Sequence, residues 1–192
     1  MRPGRGARRV GIERVLRLVA AGGGRSVRPD GFLGRGSGVV SSTTHKREVH
    51  IDAPVERVFD YVKVPEHFLA AMLEAEGKEP GDAAAHLTKV SLTPDGGVGS
   101  TYEAVFRVFF VTMHAVGSRQ EYLPNERIVD RMSTGVTWTY TTAADETGTL
   151  LSLACEVSSK VPLMDKVEDA LFWKGDRDLD KYLAAYKHAI EA

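Results

Sequence analysis

The chain has 192 residues, 43% of them hydrophobic, which is enough for one domain with a single apolar core. Its formal net charge of -1 hides a division, because residues 1–35 hold nine arginines and two acids, leaving 16 basic and 24 acidic residues beyond them. An acidic body argues against a nucleic-acid partner for the folded domain, and no apolar run is long enough for a transmembrane segment.

Residues 1–44 are rich in arginine and glycine and poor in apolar side chains, so we expect a disordered tail followed by a folded domain over residues 45–192. Within this tail, Ile12, Val15, Leu16 and Val19 have the spacing of a short basic amphipathic helix. Flexible arginines could tether the domain to nucleic acid or to an anionic membrane. The simpler alternative, which we favour, is an extension without such a role.

Alternating apolar residues predict a first strand over Lys46–Ile51. Asp52 and Pro54 follow it and are typical of a helix start, since a carboxylate can accept free amide protons and a proline ring suits the first turn. A second helix is expected to begin at Pro65. The apolar stripes of the two helices are Val55, Val58, Phe59 and Val62, and Phe68, Leu69, Met72 and Leu73.

Beyond these helices, apolar runs alternate with turn signals such as Pro94-Asp-Gly-Gly97 and Asp145-Glu-Thr-Gly148. Six further strands are predicted, over residues 87–93, 100–109, 111–122, 127–133, 136–142 and 149–158. Their connections are too short for parallel crossovers, so the strands should be antiparallel. The one cysteine, Cys155, lies in the last strand, which excludes an internal disulfide and favours a reducing, cytoplasmic setting.

The segment from Leu163 to Ile190 has one apolar face of helical period and predicts a long C-terminal helix, loosened or kinked at Gly175. Only the sheet offers an apolar surface to match this face. The expected fold is therefore α+β, with a seven-stranded antiparallel sheet wrapped around the C-terminal helix and two short helices between strands 1 and 2. A curved sheet on a single helix leaves a cavity, and an apolar cavity is a usual site for a small molecule.

Three segments of the chain carry a family resemblance: Ile51-Asp-Ala-Pro-Val-Glu-Arg-Val-Phe59, Tyr122-Leu-Pro-Asn-Glu-Arg-Ile-Val129 and Gly148-Thr-Leu-Leu-Ser-Leu153. Over residues 45 to 190 the chain resembles the SRPBCC superfamily, the helix-grip group of START lipid-transfer domains, birch-pollen-allergen-like proteins, and polyketide cyclase/dehydrase and lipid-transport proteins. The resemblance implies an apolar cavity for lipids, polyketides or similar molecules. The superfamily contains both carriers and enzymes, which these segments do not distinguish.

The candidate ligand-binding residues are those expected to face this cavity. For the aromatic ones, plain core packing is the alternative, because large rings supply much of the buried area in a small domain. His114 lies in the middle of a strand, and a shift of one residue in register would move it from the cavity to solvent. The full set is Phe68, Met72, Tyr102, Phe106, His114, Trp138, Tyr140, Leu151, Leu153, Leu171 and Tyr182.

We expect the domain to bind or transport a small hydrophobic ligand, held mainly by burial of apolar surface. The alternative is a cyclase or aromatase, with His114, Tyr102, Tyr140 and Glu121 as its acid–base groups. A third class is a protein-interaction module, as in chaperone-activating relatives of the fold, using the outward Glu103 and Arg107. No cofactor is expected, and no metal, because the sequence has neither a His-x-x-x-His pair nor a Cys/His cluster.

Overall fold

The structure, a computed structural model, describes residues 41–79, 85–108, 111–159 and 175–192. These residues form β1 (Ser41–Ile51), α1 (Val55–Val62), α2 (Pro65–Ala75), β2 (Ala85–Ser91), β3 (Thr101–Val108), β4 (Val111–Leu123), β5 (Arg127–Met132), β6 (Val136–Ala144), β7 (Thr149–Ser159) and α3 (Asp176–Glu191). The predicted tail up to residue 40 and the predicted helical residues 163–174 lie outside the described ranges.

The seven strands form one antiparallel sheet in the order β1-β7-β6-β5-β4-β3-β2. Strands β2 to β7 follow one another as a meander, and β1 returns to pair with β7, so that β1 and β2 are the two edges. The helices α1 and α2 connect these edges. This arrangement confirms the predicted α+β helix-grip fold.

The first strand is longer than its sequence pattern indicated. It begins at Ser41, and Ser41 to His45 pair with Ser159 to Cys155 of β7. Residues 41–44, which were assigned to the tail, therefore lie in the sheet. They have no alternation of apolar and polar residues, so their extended conformation follows from pairing with β7 and could not be seen in the local pattern.

The start of α1 differs from the prediction in one contact. Pro54 is its N-cap, and no side chain caps the helix, so the expected capping role of the Asp52 carboxylate is wrong. Instead, the backbone N–H of Asp52 donates to Oε1 of Glu191 at 2.8 Å. The segment before α1 is thereby joined to the last turn of α3. Pro65 lies in the first turn of α2, as predicted.

The main core lies between α3 and the β1–β7–β6 side of the sheet. It is built from side chains that are nearly inaccessible to solvent, and Cys155 is among them at 1% exposure. Helix α1 closes one end of this core. The principal members are Leu179, Leu183, Tyr186 and Ile190 of α3, Leu151 and Leu153 of β7, Ile128 of β5, and Val58, Phe59 and Val62 of α1.

Gly175 is the residue before α3 and does not lie within the helix, because its φ of 58° is not helical. A Cβ at this position would lie 2.7 Å from Cε1 of His45, so both the backbone and the available space require glycine. The next residue, Asp176, accepts a hydrogen bond from Nδ1 of His45 at 3.0 Å and pairs with Arg47. The amino end of α3 is thus fixed on β1.

Within the described ranges, the helices are too short or too polar to cross a bilayer.

Candidate functional site

Aromatic side chains pack against one another beneath α3, in the region where the sequence predicted a cavity. Phe68 of α2, Trp138 of β6 and Tyr182 of α3 form one group. The Phe68 ring centroid lies 4.9 Å from that of Trp138 and 6.0 Å from that of Tyr182. Met72 packs against the same core. These described side chains therefore contact one another in this part of the interior.

A second aromatic group lies further along α3. The ring of Tyr186 makes edge contacts with Tyr140 and Tyr61, at centroid distances of 6.3 and 6.1 Å. Burial raises the pKa of Tyr140 and of Tyr186, so both phenols stay protonated at neutral pH. In the part of the chain that the structure describes, the Tyr186 hydroxyl is the one buried side-chain polar atom without a well-formed hydrogen bond, and its polar neighbour is the Tyr140 hydroxyl.

Seven of the candidate binding residues belong to these packed regions: Phe68, Met72, Trp138, Tyr140, Leu151, Leu153 and Tyr182. Leu151 and Leu153 are fully inaccessible, and Tyr140 and Tyr182 are 4% and 7% exposed. They pack as core, which was the alternative for the aromatic members. Leu171, another candidate, lies outside the described residues.

An open groove of about 430 Å³ lies between α2 and the edge strand β2. Leu69, Ala70 and Leu73 line its helix side. Ala85, Leu87 and Val90 are the apolar residues of its strand side. Its floor is buried, since Leu73 and Ala85 are each 3% exposed. The volume lies within the range of roughly 300–1,000 Å³ that is usual for small-molecule sites.

Charged side chains stand at the rim of this groove. Glu66 is exposed on the α2 side, and His86 and Lys89 are exposed on the β2 side. None of the three makes an ion pair with another described residue, whereas Lys63 and Lys78 pair with Asp60 and Glu76. No three His, Cys, Asp or Glu side chains in the described ranges are grouped as a metal ion would require.

The inner side of the groove reaches a second apolar cluster. Its buried members are Tyr102, Ala115 and Met132, and Leu87, Val90, Phe106 and Trp138 are among the residues that pack against them. In the sheet, Leu87 pairs with Ala104 and Val90 with Tyr102, and a β-bulge lies between Leu87 and Lys89. The bulge lets two residues an odd number of positions apart both face inward. Of the predicted residues, Tyr102 and Phe106 therefore belong to the same cluster as Leu87 and Val90 of the groove.

A buried ion pair lies in the wall behind Tyr102. The Nε of Arg119 donates to Oδ1 of Asp130 at 2.9 Å, and its Nη2 donates to Oδ2 at 3.1 Å. The Tyr102 hydroxyl donates to the same Oδ2 at 3.5 Å, and burial together with the Asp130 charge raises the pKa of Tyr102. Arg119 also donates to the carbonyls of Gly96 and Lys63. Each guanidinium nitrogen of Arg119 thus has a hydrogen-bond partner within the protein. Arg119 therefore has a structural role and no nitrogen free for a ligand.

Sequence reasoning missed this pair, although a signal was present. Ile128, Asp130 and Met132 occupy the inward positions of β5 and are 0%, 4% and 7% exposed. A carboxylate between two apolar residues of one strand face is uncommon, because burial of an unpaired charge is costly. It indicated that a cation would lie opposite, but the local pattern did not identify Arg119.

The expected inward orientation of His114 is corrected by the structure. His114 is exposed and pairs with Val105, whereas Ala115 and Gly117 on the other face of β4 are buried. Glu121 is also on the outside, since a bulge follows Arg119, and it forms an ion pair with Arg127. The four proposed acid–base groups are therefore divided, with Tyr102 and Tyr140 inside and His114 and Glu121 outside.

The fold that holds this groove is shared with several solved structures of low sequence identity. Norcoclaurine synthase from Thalictrum flavum is similar with a TM-score of 0.55 at 14% identity, over 87% of this chain and 98% of that one. A protein from Rhodobacter sphaeroides gives 0.54 at 17% identity, over 82% and 95%. Ara h 8.0201 gives 0.53 at 14% identity, over 78% and 98%.

No protein-family model matches the chain, and no curated protein matches it in sequence. At such identities the structural likeness shows the fold alone. It confirms the helix-grip architecture that the sequence predicted.

Proposed function

We propose that this domain binds a small, mainly apolar molecule in the groove between α2 and β2. The observation that carries the proposal is a groove of about 430 Å³ with a floor of leucine, valine and alanine side chains. Burying some 200 Å² of ligand surface there would contribute roughly 5 kcal/mol before the costs of association are subtracted.

The groove continues toward side chains suited to the same ligand. Tyr102 and Phe106 lie beside Leu87 and Val90, so a molecule longer than the groove would meet aromatic rings at its inner side. Flat rings contribute both contact area and favourable edge or stacking geometry to ligands. Of the candidate residues, these two belong to the proposed site.

Binding is favoured over cyclisation by the positions of the titratable groups. General acid–base catalysis requires its groups within hydrogen-bonding reach of one substrate. His114 and Glu121 face outward, away from Tyr102 and Tyr140. Raised pKa values also keep the two tyrosines protonated, which makes them poor general bases at neutral pH.

Titration with the uncharged fluorescent probe N-phenyl-1-naphthylamine tests the proposal. The wild type should show saturable binding. Ala70→Trp, which places an indole in the open groove, should weaken that binding at least about tenfold, the loss expected when one ring-sized volume is excluded. Val116→Trp is the matched control, because Val116 is 46% exposed and does not line the groove.

Two results would overturn the proposal. One is the absence of saturable binding by the wild type. The other is equal binding by Ala70→Trp and the wild type, provided that Ala70→Trp and Val116→Trp both keep the wild-type melting temperature. Native mass spectrometry of the purified protein then identifies any molecule that remains bound. Incubation with that molecule shows whether it is released unchanged or converted.

A further inference from the structure

We propose that the groove takes an amphiphile whose head group carries both a positive and a negative charge. This inference rests on the proposed function, since the groove must first be a binding site. Its basis is the pair of opposite charges on the two sides of the groove, Glu66 on α2 and Lys89 on β2. Both stand above an apolar floor that would hold a hydrocarbon chain.

Lys89 differs from the other lysines of the described ranges in having no carboxylate partner. Of the six lysines there, Lys46, Lys63, Lys78, Lys181 and Lys187 each lie within 4.0 Å of a carboxylate oxygen. Lys89 does not, and Glu66 likewise has no cationic partner in those ranges. The two charges face the same groove without neutralising each other.

A head group with two charges would satisfy both sides at once. Its ammonium would lie near Glu66, and its phosphate or carboxylate near Lys89, with the exposed His86 as a neighbouring donor. The chain would lie on Leu69, Leu73, Leu87 and Val90. Exposed ion pairs contribute little free energy, so the apolar floor provides most of the affinity and the two charges select the head group.

Four single-chain probes of equal length separate the head-group classes: dodecylphosphocholine with both charges, dodecyl sulfate, dodecyltrimethylammonium and uncharged dodecyl maltoside. Each is used below its micelle concentration to displace N-phenyl-1-naphthylamine from the full chain. We expect dodecylphosphocholine to bind about fivefold more tightly than the other three at low salt, as two weak ion pairs allow. The preference should shrink at high salt.

Charge-removing variants assign the preference to the two residues. Glu66→Gln should raise the relative affinity for dodecyl sulfate, and Lys89→Gln should raise that for dodecyltrimethylammonium. Glu56→Gln and Arg57→Gln are matched controls, because both side chains are exposed on α1 and neither lines the groove. The controls should leave the order of the four probes unchanged.

The outcomes separate this inference from the proposed function. Equal displacement by all four probes would overturn the inference and leave the groove as a binding site for apolar molecules. A preference that survives in both Glu66→Gln and Lys89→Gln would overturn it as well. Failure of the wild type to bind N-phenyl-1-naphthylamine or any of the four probes would overturn both proposals.

Discussion

Arg119 of β4 and Asp130 of β5 face each other as a buried two-point ion pair, with their side chains only 2% and 5% exposed. The guanidinium also binds the carbonyl of Gly96, in the β2–β3 connection, and that of Lys63, which ends α1. Helix α2 begins two residues after Lys63. The pair therefore helps to position α2 relative to β2, which are the two sides of the groove.

Replacing Arg119 by Met should lower the free energy of unfolding by about 3–5 kcal/mol, because it leaves the Asp130 charge buried without a partner. The double variant Arg119→Met with Asp130→Leu should recover most of that loss, since it removes both charges. Urea unfolding monitored by fluorescence measures each value. A single variant as stable as the wild type would contradict the importance of the pair.

Gly117 lies directly beneath the ring of Tyr102. A Cβ at this position would lie 2.3 Å from Cζ of Tyr102, so Gly117→Ala should cost about 1–3 kcal/mol through overpacking. In a Tyr102→Ala background the clash is absent, and the same change should be neutral or stabilising, because alanine loses less backbone entropy than glycine. Additive effects in this double-mutant cycle would disprove the contact.

Tyr186 and Tyr102 should respond in opposite ways to removal of their hydroxyl groups. The Tyr186 hydroxyl is buried, and its polar neighbour, the Tyr140 hydroxyl, does not form a well-made hydrogen bond with it, so Tyr186→Phe should raise the free energy of unfolding by up to about 1 kcal/mol. Tyr102→Phe removes the hydrogen bond to Asp130 and should lower it by about 1 kcal/mol. Denaturant unfolding of the two variants, measured side by side, gives both signs. Destabilisation by Tyr186→Phe would reveal a partner for its hydroxyl.

The contact between His45 and Asp176 should contribute to acid sensitivity. The hydrogen bond from His45, together with Arg47, holds the pKa of the Asp176 carboxyl below its usual value. A carboxyl with a lowered folded-state pKa stabilises the protein above its unfolded pKa, and this stabilisation is lost as the pH falls through the folded value. The difference in melting temperature between wild type and Asp176→Asn should therefore be largest near neutral pH.

That difference should shrink as the pH falls below about 4, the ordinary pKa of an aspartate. Melting curves recorded from pH 7 to pH 2 provide the measurement. Asp180→Asn is a suitable comparison, because Asp180 is more exposed and makes a single, longer contact of 3.4 Å with Arg47. A constant difference for Asp176→Asn over the whole range would show that its carboxylate adds no pH-dependent stability.

The strands and helices could be predicted closely because their signals are local. β5 was expected over residues 127–133 and spans Arg127–Met132, and β7 was expected over 149–158 and spans Thr149–Ser159. In β5 the side chains alternate between a buried and a more exposed face, and in β7 Leu151, Leu153 and Cys155 are buried at alternate positions. The turns between the strands are too short for parallel crossovers, so an antiparallel meander could be predicted as well.

The orientation of β4 could not be predicted in the same way. His114 and Val116 alternate with Ala115 and Gly117, and neither set is clearly the apolar one. The small residues face inward because the ring of Tyr102 occupies the space above Gly117. Arg119 lies on the same face of β4 as Gly117 and pairs with the buried Asp130 of β5. Both reasons lie on neighbouring strands, so the local pattern of β4 did not contain them.

The order of apolar and polar residues by itself determined the fold class of this protein: seven strands, two helices between the edges of the sheet and a helix at the end. Those features follow from side-chain periods of two and 3.6 residues, which are properties of a single segment. Only the tertiary structure decided where space is left open. Among the described residues, rings from α1, α2, α3 and β6 pack together beneath α3, whereas an open groove lies between α2 and β2. The position of a groove or cavity depends on how side chains from separate segments of the chain pack together, which no single segment determines.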